Sequence, residues 1–275
     1  MGLSDRECAA LLAWAAQRLG LADAGFARVR GQVRKRVSRR IGELRLPDAA
    51  AYRAFLERDA SEWTVLDRLC RVTISRFWRD GPAFDALTEQ VLPALVERAR
   101  ARDDLRLRIW SLACASGEEP YSVALAWHLR LAPRCPGMSL DLVASDASPH
   151  LLERAARAEY PASIFRELPA DLRAPLAIPA VPSELVHIPA ALRAGVTLRE
   201  LDVRRACPPG PFDLILCRNL VFTYFDDALR ARLLAGFHAR TVPGGALMIG
   251  KRECLPDSRC GYESLSSGIY VKSMI

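Results

Sequence analysis

The stretch Leu107-Arg-Ile-Trp-Ser-Leu-Ala-Cys-Ala-Ser-Gly-Glu-Glu-Pro-Tyr-Ser122 constrains the fold more than any other part of the chain. Leu107 to Leu112 is a short apolar run of the kind that forms a buried strand. Cys114-Ala-Ser-Gly117 are small residues that let a backbone turn tightly and a ligand come close. Pro120 stands where a first helical turn tolerates proline, with Glu118 and Glu119 beside the positive end of the helix dipole. Strand, small-residue loop and helix start together describe the nucleotide-binding corner of an open α/β sheet. The loop has neither the G-x-G-x-x-G of dinucleotide enzymes nor the G-K-[ST] of phosphate loops. It sets two carboxylates where those motifs seat a phosphate. Such a loop repels a pyrophosphate and suits a cationic, phosphate-free nucleoside; S-adenosylmethionine, with its sulfonium and amino groups, has that chemistry.

Before this stretch the patterning is helical throughout. Apolar spacing predicts helices over 5–20, closed by Gly20, and over 26–44, on Phe26, Val29, Val33, Val37 and Ile41. A further helix starts at Asp48 as its cap and runs through Tyr52 and Leu56, and another covers 62–70. Gly81-Pro82 reads as a break before a helix from Phe84 towards Arg100. The charged run 97–106 marks the expected domain edge, giving a helical domain at 1–96 and a second domain at 97–275.

From Leu107 onward strands and helices alternate. Strands are expected at 107–112, 140–146, 196–198, 212–217, 246–250 and 268–272, with helices over 121–131, 151–158 and 227–239. Pro243-Gly-Gly245 reads as the turn into the fifth of these strands. That order implies an α/β domain with a mostly parallel, Rossmann-like sheet and ligands at the carboxyl ends of its strands. Residues 161–195 are rich in Pro and Ala, have weak periodicity, and read as an insertion. Asp146 ends the strand after the loop, 29 residues past Gly117. An acid there accepts both ribose hydroxyls of a bound nucleoside, or caps the helix after Ser148-Pro149.

Charge and cysteine usage narrow the partners. The formal net charge is +7, and 36 of the 39 basic residues are Arg. Aromatic residues are sparse and not interleaved with the basic ones, so an acidic protein surface fits better than nucleic acid. Arg30, Arg34, Lys35, Arg36, Arg39 and Arg40 surround the apolar stripe of the 26–44 helix, a local field able to steer an acidic partner or simply a solvated face. The eight cysteines contain no C-x-x-C pair, and the four histidines show no ligand spacing, so reduced core cysteines and no metal site are expected. No apolar run approaches the roughly 20 residues that span a bilayer, and no signal-peptide block follows Met1. A cytoplasmic location without membrane insertion is the resulting expectation.

Several motifs, in order, carry a resemblance: Phe77-Trp-Arg-Asp80, Cys114 to Ser122, Ala144-Ser-Asp146, Glu159-Tyr-Pro161, Pro211 to Asn219, Tyr224-Phe-Asp226 and Pro243-Gly-Gly245. Over nearly its full length the chain resembles the CheR family of chemotaxis receptor methyltransferases. The resemblance implies an all-helical N-terminal domain, a linker, and a class I methyltransferase domain with a small inserted β subdomain near 161–198. It implies S-adenosylmethionine as cofactor and S-adenosylhomocysteine as product. Matched position by position, the cofactor contacts fall on Thr73, Ser75, Arg79, Cys114, Gly117, Glu119 (with Glu118 adjacent), Asp146, Asp202, Val203, Cys217 and Arg218, the last two mainly through backbone. Asn219 faces the methyl-transfer site. The chain has one residue more than the family pattern after Asn219, so either Tyr224 or Thr223 takes the family tyrosine's place. Arg79, Tyr224 and Asn219 are the implied catalytic set.

The implied reaction is in-line methyl transfer to a glutamate carboxylate of a chemoreceptor-like protein, docked on the basic helix. A carboxylate with reference pKa ~4.3 is ionised at pH 7 and needs no general base. The alternatives are another protein or a small-molecule acceptor, and a non-catalytic module that binds S-adenosylmethionine.

Overall fold

Helices whose apolar stripes face one another make up the N-terminal part of the protein. The structure is a computed structural model that describes residues 3–22, 25, 29–71, 74–255, 260–266 and 268–274. The chain forms two compact units, residues 1–74 with 223–230 and residues 75–222 with 231–275.

In the first unit, α1 (Asp5–Leu19) opens with a capping box. The Ser4 hydroxyl accepts from the Glu7 N–H, and the Glu7 carboxylate reaches back to the Ser4 N–H. It closes on Gly20 at φ +65°. The second helix, α2 (Arg30–Glu43), buries Val33, Val37 and Ile41; residues 26–28, with the expected stripe residue Phe26, lie outside the described residues. Asp48 caps α3 (Ala49–Arg58) by accepting from Ala51 N at 2.8 Å, and α4 (Glu62–Cys70) follows as expected. Buried Glu62 gathers the Tyr52 hydroxyl at 2.9 Å and the Arg40 guanidinium at 2.9 and 2.7 Å. The segment 223–230 is sewn onto this unit. Leu21 bridges Phe225, Ala22 N–H donates to the Tyr224 carbonyl at 2.7 Å, and Asp226 N–H to the Gly20 carbonyl at 3.1 Å. A Cβ at Gly25 would fall 2.4 Å from the Thr223 carbonyl oxygen, so only glycine fits there.

The second unit begins earlier than the charge run suggested. Phe77, Trp78, Phe84, Leu87, Leu92 and Leu95 share one buried core with Leu107 and Ile109. Residues 75–96, grouped with the helical domain on sequence, therefore pack with the sheet. Gly81-Pro82 opens a helix instead of interrupting one, since proline is pre-set for a first turn. This helix is α5 (Gly81–Ala86), continued by a π-helical turn Leu87–Val91 into α6 (Leu92–Ala101).

The strands are β1 (Arg106–Leu112), β2 (Ser139–Asp146), β3 (Glu159–Pro161), β4 (Leu185–His187), β5 (Val196–Glu200), β6 (Phe212–Cys217), β7 (Thr241–Ile249), β8 (Tyr262–Ser266) and β9 (Ile269–Lys272). Between them run α7 (Glu118–Ala126), α8 (Pro149–Arg157), α9 (Ala170–Arg173), α10 (Val221–Tyr224) and α11 (Asp227–Arg240). Seven strands form one sheet in the order β5-β2-β1-β6-β7-β9-β8, parallel up to β7 and antiparallel across β9. This is the mostly parallel, Rossmann-like sheet that the alternation of strands and helices implied. The central strands are apolar because helices cover both faces, which is why β6 is buried at every residue. Pro243-Gly-Gly245 lies inside β7, where the register jumps between the pairs Phe212–Thr241 and Leu214–Ala246.

The small inserted β subdomain is a single antiparallel pair: β3 and β4 pair over three residues each, and short helical turns fill most of the rest of 161–198. Pro161, Pro169, Pro175, Pro179, Pro182 and Pro189 explain this, since each lacks the N–H a ladder needs. Residues 196–198 belong to the edge strand of the main sheet, paired with β2. The other edge strand, β8, was not foreseen, because its alternation Tyr-Glu-Ser-Leu-Ser is weak.

Candidate active site

The sheet register brings the loops together. Leu112 stands beside Ser145 on one side and Cys217 on the other, and Cys217 stands beside Ile249. The residues that follow this row, Ala113 to Gly117, Asp146, Arg218-Asn219 and Gly250, thus all leave the sheet at its carboxyl edge.

The loop after β1 is tightly wound, with Ala113 at φ +55°, Ala115 at +53° and Gly117 at +93°. A Cβ at Gly117 would come within 2.8 Å of Tyr121 Cε2 and 3.0 Å of the Tyr160 oxygen, which makes glycine obligatory. Tyr160 holds the loop from beneath by donating to the Ser116 carbonyl at 2.5 Å. The Asp146 carboxylate braces it from the side, accepting from Ala115 N at 3.0 Å and from Ser148 N at 2.9 Å. Each carboxylate oxygen keeps further acceptor capacity. Leu201 N–H donates to the Asp146 carbonyl at 2.9 Å, which draws the Asp202-Val203 pair next to it. Val203 is buried, while the Asp202 carboxylate is gripped by Arg204 at 3.0 and 2.6 Å.

The two glutamates at the start of α7 differ. Glu119 accepts from the Ser111 hydroxyl at 2.8 Å and from Arg218 Nη1 at 3.1 Å. Glu118 is buried, and burial pushes its carboxyl above the usual range against hydrogen bonds that include the Ser75 and Ser116 hydroxyls. Its Oε2 has no hydrogen-bond partner among the described residues. A buried, half-satisfied carboxylate at a helix start is a site for a cation.

Arg79 is half-buried between two residues in the left-handed region, Trp78 at φ +57° and Asp80 at +63°. For non-glycine residues such conformations cost roughly 1–3 kcal/mol each and need support from their surroundings. That support is visible. Trp78 N–H donates to the Ser122 hydroxyl at 3.0 Å, its indole N–H to Asp85 at 2.9 Å, and Asp80 pairs with Arg218 at 2.6 Å. Asn219 is likewise left-handed at +58°, its N–H held by Glu253 at 2.8 Å; the same Glu253 oxygen accepts from Gly250 N at 2.7 Å. Cys114 and Cys217 are buried and their thiols are pushed up by burial, so neither is a nucleophile.

Residues 73–271 match the family described as CheR methyltransferase, SAM binding domain. The chain belongs to the CheR methyltransferase family. It is 33% identical over 270 residues to the chemotaxis protein methyltransferase of Klebsiella aerogenes, covering 90% of this chain and 89% of that one. The corresponding protein of Listeria monocytogenes is 32% identical over 219 residues, 79% of each chain. That of Salmonella typhimurium is 32% identical over 261 residues, 86% of each. This CheR-family chain is an S-adenosylmethionine-dependent methyltransferase. Its loop fits that cofactor: carboxylates occupy the helix start and one buried carboxylate oxygen is unpartnered.

The structure gathers Ser75, Arg79, Cys114, Gly117, Glu119, Asp146, Asp202, Val203, Cys217, Arg218 and Asn219 into the second unit of this CheR-family fold. Thr73 lies outside the described residues. Tyr224 and Thr223 belong to the first unit and close the single helical turn α10. The Arg218 side chain is buried and pairs with Glu119 and Asp80. Two residues were underrated on sequence. Glu118 was legible only as a neighbour of Glu119. Glu253 was legible only as an acid three residues past Gly250. No helix of the described residues is long and apolar enough to cross a membrane.

Proposed function

We propose that this enzyme O-methylates glutamate side chains on an acidic, chemoreceptor-like protein in the cytoplasm. The observation that carries the reading is Arg79, whose backbone is set between two left-handed residues and tied through Arg218 to Glu119 at the carboxyl edge of the sheet. The relatives are named chemotaxis protein methyltransferases, which supports the same acceptor class. Bound cofactor supplies an electrophilic methyl group on a sulfonium. Glu118, Glu119 and Ser75 would hold its amino-acid end, with Arg79, Cys114, Gly117, Cys217 and Arg218 lining the same site. Asp146 would hold the ribose, and Asp202-Val203 the base. Arg79 presents its planar fork to the acceptor carboxylate and fixes its direction of attack. Asn219 borders the acceptor, and Tyr224 (or Thr223 in its place) is the further catalytic residue that the family resemblance implies. Because a glutamate carboxylate is already ionised at pH 7, with reference pKa ~4.3, no residue has to remove a proton. The chain's contribution is positioning and exclusion of water, which can supply roughly 7–11 kcal/mol.

The acceptor protein docks on α2, though on fewer charges than the sequence suggested. Arg40 is committed to Glu62, Arg36 to the Arg71 carbonyl at 2.7 Å, and Arg34 to Asp5 at 3.0 Å. Lys35 and Arg39 are exposed, Arg39 with only the exposed Glu43 beside it at 3.6 Å, and they form the docking pair. The deciding experiment incubates the enzyme with methyl-labelled cofactor and a receptor-type acidic coiled coil, then maps the label by mass spectrometry. A base-labile methyl ester on glutamate is expected; a base-stable adduct, or label on no glutamate, sinks the assignment.

A further inference from the structure

The guanidinium of Arg218 is enclosed at the meeting point of three segments that the reaction uses. Its side chain is 3% exposed. Nη2 donates to the Arg79 carbonyl at 2.7 Å and to Asp80 Oδ2 at 2.6 Å, while Nη1 donates to Glu119 Oε2 at 3.1 Å. The Cζ atom stands 5.0 Å from the centre of the Phe84 ring, so an aromatic face covers the group on the remaining side. Its own backbone precedes Asn219, whose N–H is fixed by Glu253.

This arrangement has a direction. The bonds to the Arg79 carbonyl and the Asp80 carboxylate hold the backbone on the C-terminal side of the Arg79 Cα, while the Trp78 N–H on Ser122 holds the other side. They also hold Asp80 in the left-handed conformation that the turn requires. The bond to Glu119 ties that turn to the carboxylate pair at the start of α7. A planar, five-donor fork can serve three acceptors in fixed directions at once; an ammonium, with a single charged nitrogen, cannot reach all of them. We propose that Arg218 is a positioning residue that aims Arg79 at the acceptor and locks the Arg79 turn to Glu119. The inference rests on the reading of Arg79 as the acceptor-orienting group and adds the device that orients it.

A double-mutant cycle tests it, run on whichever acceptor the enzyme methylates. Arg218→Lys should lower kcat about 10–100-fold in the native background and less than threefold in an Arg79→Ala background, because an unaimed Arg79 and an absent one are equivalent. Asp80→Asn, which keeps the left-handed preference but removes the ion pair, should show the same pattern more weakly. Folding is checked by thermal melting, and S-adenosylhomocysteine affinity by calorimetry. A crystal structure of the Arg218→Lys protein should show Asp80 leaving its left-handed conformation and Arg79 redirected. Equal losses of kcat in both backgrounds, or an unmoved Arg79 turn in that structure, would overturn the positioning role alone. An Arg79→Ala enzyme with native kcat would overturn this inference together with the orienting role of Arg79.

Discussion

Arg218 and the arginines of α2 are the same side chain under opposite conditions. Arg218 is enclosed, with both terminal nitrogens aimed at named acceptors and a ring against its face. On α2, the sequence shows six cations in eleven residues, but Arg34, Arg36 and Arg40 are spent on packing against the rest of the unit, Arg30 is half-buried, and only Lys35 and Arg39 are exposed, Arg39 beside Glu43. The difference teaches that a count of charges is not a measure of field. A buried cation acts through fixed geometry at low dielectric, whereas exposed pairs are screened and are worth roughly 0–1 kcal/mol each. The first kind of charge governs rate, the second encounter.

Three variants sharpen or break that contrast. The largest effect is expected from Arg79→Ala, which should lower kcat about 100-fold or more, the cost of losing one fixed transition-state donor. Steady-state turnover at saturating cofactor checks it.

Glu118→Gln comes next and should act in two opposite ways. Removing the half-satisfied carboxylate should raise the cofactor Kd by about tenfold, equivalent to ~1.4 kcal/mol, as measured by calorimetry. Without cofactor the same change should stabilise the protein at neutral pH. Burial holds the Glu118 carboxyl above its ordinary value of 4.5, so in the window above that value the native chain keeps a proton that the unfolded chain has lost. Stability attributable to this group therefore falls as pH rises through the window, and the glutamine variant escapes the loss. A melting point higher by roughly 2–4 °C at pH 7 is expected, the shift for about 1 kcal/mol, with no difference from the native protein at pH 4.

The smallest effect belongs to the exposed pair. Lys35→Glu with Arg39→Glu should raise KM for an acidic protein acceptor about three- to tenfold at low salt. Cofactor affinity should not change, and the difference should shrink as ionic strength rises past the ~8 Å Debye length of physiological salt. If KM stays put, α2 is a solvated face and the docking half of the comparison is wrong.

The legibility of the two regions differs for the same reason. The loop after β1, the strand pair carrying Leu112 and Asp146, and the obligatory Gly117 could be read directly, because small residues, apolar runs and a helix start are local signals. The pairing of Arg218 with Glu119 joins residues 99 positions apart and leaves no trace in spacing. Glu253 is the same case at shorter range: an acid in a polar stretch looks solvated until the fold turns it towards two backbone amides. The domain edge was misplaced because charge marked 97–106, whereas Phe77, Trp78 and Phe84 decide it through the core they join. Proline density could have warned that 161–198 would hold more turns than strands.

The way segment 223–230 is stitched onto Leu21, Ala22 and Gly20 has a practical corollary. The polypeptide enters and leaves the helical unit more than once, so no single cut separates the units cleanly. A recombinant fragment ending at residue 74 would bare the Leu21 edge and strand the Ala22 amide. One beginning at residue 75 would carry eight residues of someone else's fold on its surface. Dissection of this enzyme is better pursued by point substitution in the full-length chain than by truncation.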